Sequence, residues 1–265
     1  MNKKYAICYN PSIVNAAIIT KELEEFFVNK SLSYCVYNID KLGNECEFVF
    51  VVGGDGTILK AARYYSKYGI PIFGINLGHL GFLSQAGADE LEYALEKILN
   101  EDYVLEDRLM LKAGKYNALN DFVIKGEYPS RASEFVLEID GKSVCNYFAD
   151  GIIVSTPTGS TAYGMAAGGP VLVPDIDALI VVPICPHTFA ARPIVIGGNA
   201  KIKIKVQQNQ NYIVSADGQE VFSFKDCIDI EKSENYAKLA LLGKNDFYSI
   251  LKNKLHWGIA PERSC

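Results

Sequence analysis

Apolar positions along the first hundred residues switch repeatedly between two patterns. Tyr5-Ala6-Ile7-Cys8-Tyr9 is a short apolar run stopped by Asn10-Pro11. Ala16, Ile19, Leu23, Phe26 and Phe27 then recur at helical spacing within residues 13–29, with acidic residues between them. The pair predicts a strand followed by a helix. Residues 34–37 form a second strand and Phe48–Val52 a third, whose unbroken apolar character predicts burial on both faces. The third strand stops at Gly53-Gly54-Asp55-Gly56-Thr57, where a helix begins with Ile58, Ala61, Ala62 and Tyr65 inward. Residues 71–75 give the next strand. Residues 88–99 read as an amphipathic helix with Leu91, Ala94, Leu95, Ile98 and Leu99 on one side. This alternation predicts a parallel sheet of βαβ units.

After about residue 105 the pattern becomes that of half-buried strands. Phe135, Leu137 and Ile139 alternate with largely polar neighbours, Asp140-Gly141 is a two-residue turn signal, and residues 144–148 return, which predicts a hairpin. Lys201-Ile202-Lys203-Ile204-Lys205-Val206 alternates strictly, and residues 212–215, 221–224 and 228–230 look similar. Residues 247–251 have mixed periodicity and are expected to form a helix returning to the first part. The expected organisation is an α/β domain over residues 1–105, joined by 243–265, and a mostly β domain over 106–242.

Composition narrows the function. In 265 residues, 26 Lys and Arg against 31 Asp and Glu give a net charge of −5, which argues against a broad basic face for nucleic acid. No apolar run approaches the ~20 residues of a membrane span. The stretch after Lys3-Lys4 is too broken by Asn10, Pro11 and Asn15 for a signal peptide. A soluble cytoplasmic protein, with neither membrane nor nucleic acid as partner, is expected. Seven cysteines without a C-x-x-C, and His79, His187 and His256 without an H-E-x-x-H, read as reduced thiols and structural imidazoles. No residue is singled out as a metal ligand.

Three segments carry candidate chemistry. In Gly53-Gly54-Asp55-Gly56-Thr57 the glycines allow close backbone approach to a phosphate, and the amides and dipole of the following helix favour its charge. A carboxylate repels phosphate, so Asp55 suits a hydroxyl or a metal ion; the plain alternative is a helix cap. The loop is neither a Walker A sequence nor G-x-G-x-x-G. In the second segment, a buried strand from Asp150 runs into Ser155-Thr156-Pro157-Thr158-Gly159-Ser160-Thr161-Ala162-Tyr163-Gly164, which offers hydroxyl donors and acceptors and an aromatic face for a base. It contains no G-x-S-x-G. The third segment, Asn120-Asp121, can bind a ribose diol or simply make a turn.

These segments occur in the order seen in bacterial NAD kinases, together with Asn76-Leu77-Gly78-His79-Leu80-Gly81-Phe82-Leu83 and with Pro186-His187-Thr188 before Arg192-Pro193. The chain resembles that family over roughly residues 50–220. The Gly-Gly-Asp-Gly-Thr loop alone also occurs in diacylglycerol and sphingosine kinases, and the Ser155–Tyr163 run separates the NAD kinases from them.

The resemblance implies transfer of the terminal phosphoryl group of ATP, or another donor, to the adenosine-ribose 2′-hydroxyl of NAD, with a divalent ion such as Mg²⁺. Asp55 matches the base that takes the hydroxyl proton, and Gly53, Gly54, Gly56 and Thr57 match the phosphate loop. Asn120 and Asp121 match the pair that holds NAD, and Thr161, Ala162, Tyr163, Gly164, Met165 and Ala166 the segment around its adenine. Asp150 matches a carboxylate of the same pocket. Lys60, Arg131 and Gln219 stand at further contacts, and Phe82 and Ser155 join the substrate-binding set. Phe148 stands where many relatives have Arg or Lys, which removes a basic anchor for the new phosphate. The family is typically homotetrameric, with NAD sites completed across subunits. A lipid kinase of the diacylglycerol type and a non-catalytic NADP-binding sensor are the alternatives carried forward.

Overall fold

The computed structural model describes residues 3–78, 81–87, 90–127, 132–207, 210–243 and 247–255. Strands β1 (Tyr5–Tyr9), β2 (Tyr34–Asn38), β3 (Phe48–Val52), β4 (Ile72–Asn76), β5 (Ala86–Gly87) and β6 (Val104–Arg108) belong to one sheet. The order β2-β1-β3-β4 is parallel throughout, as the βαβ pattern predicts. Helices α1 (Ala16–Asn29) and α3 (Leu91–Leu99) pack on one face, through Leu23, Phe27, Ala94 and Leu95 against Phe48, Phe50 and Phe73. Helix α2 (Asp55–Tyr65) covers the other face, with Ile58, Ala61, Ala62 and Tyr65 against Val49 and Val51. Alternate side chains of β3 therefore enter two different cores. That is why no polar residue interrupts the strand, and each such burial is worth about 1.5–3 kcal/mol.

Two antiparallel six-stranded sheets follow. One contains β7 (Leu111–Ala113), β8 (Tyr116–Ala118), β10 (Ser133–Ile139), β11 (Lys142–Ala149), β15 (Ile202–Val206) and β18 (Cys227–Lys232). The other contains β9 (Asp121–Gly126), β12 (Gly151–Ser155), β13 (Ala178–Ile184), β14 (Ile194–Gly197), β16 (Tyr212–Ala216) and β17 (Glu220–Phe224). Their facing sides share one core, in which Phe122, Ile152, Val154 and Val181 meet Phe135, Leu137, Ile204 and Ile230. The outer side of the second sheet is covered as well: Ile153, Ile180 and Val182 lie under Ala167 and Leu172 of the connection after β12. The β10–β11 hairpin turns at Asp140 and Gly141, both at positive φ (51° and 76°), as the Asp-Gly signal requires.

Sheet membership crosses the expected boundary at two points. β6 spans residue 105, and β19 (Ala237–Leu241), from within the 106–242 stretch, lies between β4 and β6 in the first sheet. A strand buried between two others carries no local mark of which sheet it joins. The apolar run of β13 and the short β14 are likewise strands beyond those the pattern picks out. Helix α4 (Tyr163–Ala166) is a single turn, and α5 (Phe247–Leu255) ends with Lys254 Nζ 5.8 Å from the centre of the Phe82 ring. Among the described residues no helix is long and apolar enough to cross a membrane, and six of the seven cysteines are present there as free thiols.

Candidate active site

The buried strand β3 ends at Gly53, and Asp55 opens α2 with its carboxylate in the first turn. Both carboxylate oxygens are engaged by the loop after β4. Oδ2 accepts the Phe82 amide at 3.0 Å and Oδ1 the Leu83 amide at 3.3 Å. Ser84 braces that loop: its Oγ accepts the Gly81 amide at 2.6 Å, and Asn76 Oδ1 accepts the Gly78 amide at 3.2 Å. The approach is so close that a Cβ on Gly81 would overlap Asp55 Oδ1. Gly81→Ala should therefore displace the carboxylate. We expect turnover to fall about 100-fold, the effect of misplacing a reacting group by an ångström, while the melting temperature changes by only a few degrees in calorimetry.

A second cluster lies beside α2. Its centre is Asp217, in the turn after β16, whose side chain is fully buried. Asp217 Oδ1 accepts the amides of Asn120 (2.7 Å) and Asp121 (3.2 Å), and Oδ2 accepts that of Leu119 (3.0 Å) and an Arg63 guanidinium nitrogen (2.8 Å). Arg63 also donates to Gln219 Oε1 at 2.7 Å, and Gln219 Nε2 donates to the Gly56 carbonyl at 2.7 Å. The helix that presents Asp55 is thus tied to the start of β9 through Arg63, Asp217 and Gln219.

The hydroxyl-rich run packs onto the same point. Thr156 Oγ1 donates to the Leu119 carbonyl at 2.5 Å, Ser155 Oγ to the Asn120 carbonyl at 3.2 Å, and Ser160 Oγ to the Pro157 carbonyl at 2.6 Å. Gly159 lies so near Asn120 that a Cβ there would collide with its carbonyl oxygen. Next to this packing is a cavity of about 360 Å³, lined by Asn120, Asp121, Lys125, Ala162, Tyr163 and Asp217 among others. Its size falls within the ~300–1,000 Å³ range of ligand pockets. A groove of similar volume, about 350 Å³, lies along the outer face of α2 between Lys41, Lys60, Lys67 and Lys115. The first cavity is the candidate site, because the Asn-Asp pair and the Ala162–Tyr163 end of the hydroxyl-rich run both line it.

Comparison with known proteins shows the family. Residues 7–103 match the ATP-NAD kinase N-terminal domain and residues 119–242 the ATP-NAD kinase C-terminal domain. The chain belongs to the NAD kinase family. It is 44% identical to the NAD kinase of Pseudomonas fluorescens strain Pf0-1 over 230 residues, covering 82% of this chain and 78% of that one. The NAD kinase of Azotobacter vinelandii is 42% identical over 231 residues, with the same shares covered. A crystal structure of an NAD kinase from Archaeoglobus fulgidus in complex with ATP superposes with a TM-score of 0.80 at 30% identity, covering 96% and 98% of the two chains. Yeast NADH kinase complexed with NADH shares the fold, with a TM-score of 0.82 at 22% identity over 99% and 90%.

Within this NAD kinase fold the described residues singled out by sequence fall into four groups. Asp55, Gly56, Phe82, Gln219, Asn120, Asp121, Ala162 and Tyr163 surround α2 and the cavity. Ser155, with no exposed surface, and Thr161, whose Oγ1 donates to the Thr158 carbonyl at 3.3 Å, hold the backbone of the pocket. Gly164, Met165 and Ala166 form the short helix behind Tyr163. Lys60, Phe148 and Asp150 stand apart from the cavity. Lys60 pairs with Asp40 at 2.5 Å, and Asp150 and Phe148 flank His187, at 3.7 Å and at 5.2 Å between rings. Arg131 and His79 lie outside the described residues. Arg63 and Asp217 are the residues the sequence reading passed over. Arg63 is a charge buried on α2 among Ile58, Ala61, Ala62 and Tyr65, which is a readable signal, whereas Asp217-Gly218 reads only as a turn.

Burial, and then the charge of Asp217, push the Asp121 carboxyl up to about 7. An unfolded Asp titrates near 3.9. The native state therefore holds a proton that the unfolded state releases between those values. The stability this supplies is complete below about pH 4 and is lost as pH rises to about 7. Thermal unfolding across pH 4–8 should show that decline, and Asp121→Asn should flatten it.

Proposed function

We propose that this chain phosphorylates the adenosine-ribose 2′-hydroxyl of NAD, with ATP as donor and Asp55 as the base. The observation that carries the reading is the linkage just described. One helix presents Asp55 at a phosphate-type N-terminus and is tied through Gln219 and Arg63–Asp217 to the Asn120–Asp121 pocket. Phosphoryl transfer depends on positioning and charge stabilisation more than on covalent chemistry. The free amides at the start of α2 would hold donor phosphates. Tyr163 and Ala162 would pack on the adenine, and Asn120 and Asp121 would hold a ribose. Asp55, fixed by two amides, keeps lone pairs free to accept the hydroxyl proton.

Among the described residues no three or more His, Cys, Asp or Glu side chains converge on a metal position. A Mg²⁺ ion bound mainly through ATP phosphates needs one or two carboxylates at most, and Asp55 beside the loop fits that donor set. The ion would neutralise charge on the donor phosphates.

The same reading takes residues 1–105 with the C-terminal helix as the donor domain and residues 106–242 as the NAD domain. It makes the protein a cytoplasmic homotetramer. In support, Phe148, packed on His187 beside Asp150, is 48% exposed and Phe189 is 94% exposed on the β-rich part, where a second copy would cover them and bring Asp150 and His187 to its NAD site. The test is formation of NADP from NAD, ATP and Mg²⁺ by the purified chain, run with other nucleoside triphosphates and polyphosphate as donors. Absence of NADP with every donor would overturn the reading.

A further inference from the structure

We propose that Lys125 is the cation that binds the pyrophosphate of NAD; the inference rests on the NAD kinase reading of the site. Asp121, Val123 and Lys125 alternate along β9 and line the same cavity. The register of β9 against β12 places Lys125 opposite Gly151. A Cβ on Gly151 would stand 2.9 Å from Lys125 Cγ and 2.6 Å from the Ile124 carbonyl oxygen. The glycine of Asp150-Gly151 thus leaves the lane in which the lysine stem lies. The ammonium ends at the aromatic wall, with Nζ 3.2 Å from the Tyr163 hydroxyl and 5.3 Å from its ring centre.

The charges around the cavity show what this lysine lacks. Asp217 is neutralised by Arg63, and Asp121 is held toward its neutral form by burial. Lys125 is the one cation among the described lining residues, and no described carboxylate pairs with it. A dinucleotide that lays its adenine on Tyr163 brings two phosphate charges into this cavity, and an unpaired ammonium on the same wall is their complement. Lys125 also stands four residues beyond Asp121, about 13 Å along an extended strand. It is therefore remote from the Asp121 end of β9, where the Asp217–Gln219 turn meets both Asp121 and Gly56. That distance assigns it to phosphates NAD already carries and not to the one being added.

Calorimetric titration of the whole protein with NAD and with adenosine separates this role from a structural one. Lys125→Met should weaken NAD binding about tenfold, the range of one charge-assisted hydrogen bond, and change adenosine binding less than twofold. Lys125→Arg should restore most of the NAD affinity. The wild-type affinity for NAD should fall more steeply with salt than that of Lys125→Met. Unchanged NAD binding in Lys125→Met overturns the proposal. Parallel loss of NAD and adenosine also overturns it, since that outcome makes Lys125 a support for the Tyr163 ring. In both cases wild-type NAD binding survives, so the NAD kinase reading stands. A wild type that binds neither ligand removes that reading and the role of Lys125 together.

Discussion

Asp55→Asn is expected to lower kcat for NADP formation by 10²–10⁴-fold, the usual contribution of a positioned general base, with little change in the KM for NAD. The substitution is nearly isosteric and deletes the proton acceptor. An amide has one acceptor oxygen where the carboxylate has two, so Asn can keep the bond from Phe82 or the one from Leu83 but not both. A modest loosening of residues 81–83 should follow, visible as faster amide exchange there. Asp55→Ala releases both amides and should add a rise in KM to the same loss of kcat. The pair of variants therefore separates proton abstraction from loop positioning. Equal kcat in wild type and Asp55→Asn would sink the role of Asp55 as base and leave it as the residue that organises the loop.

Much of this was legible in the chain because the physics is local. Five apolar residues between polar stops make a strand whose two faces must both be covered, and Phe48–Val52 lies between α2 and the pair α1 and α3. Asp140-Gly141 dictates its own turn. The phosphate-type loop follows from glycines at a strand-to-helix junction. What escaped the sequence is non-local. β19 is an ordinary apolar segment whose place between β4 and β6 depends on pairing Leu239 with Ile72, 167 residues earlier in the chain. The hydroxyls of Ser155, Thr156 and Ser160 invited a ligand-binding reading. In the fold they are turned to main-chain carbonyls, because a buried loop must satisfy its own polar groups. The clamp joining α2 to the pocket needs Arg63, Asp217 and Gln219 together, and the first is more than 150 residues from the other two. No spacing rule reaches that far.

The clamp has the largest expected effect on stability. Arg63 and Asp217 are 5% and 0% exposed at the side chain, so neither charge reaches water when the other is removed. Breaking one side of such a pair costs about 3–5 kcal/mol, which for a chain of this size is a fall of roughly 6–20 °C in melting temperature. Arg63→Met leaves the Asp217 carboxylate buried with three amides as its remaining partners. Adding Asp217→Asn removes that charge, while Oδ1 can still accept the Asn120 and Asp121 amides. The double variant should therefore recover part of the lost melting temperature. Activity should not recover with it. The neutral pair lacks the bridge from α2 to the start of β9, so Asp55 and the pocket that presents the hydroxyl are no longer fixed to each other. We expect kcat to stay at least tenfold low in both variants, since small misplacements of reacting groups are costly. Differential scanning calorimetry and steady-state kinetics on the two proteins read the two quantities separately. Recovery of rate in step with melting temperature would show that the Arg63–Asp217 pair only stabilises the fold. Divergence of the two would show that it holds the catalytic helix in register with the substrate.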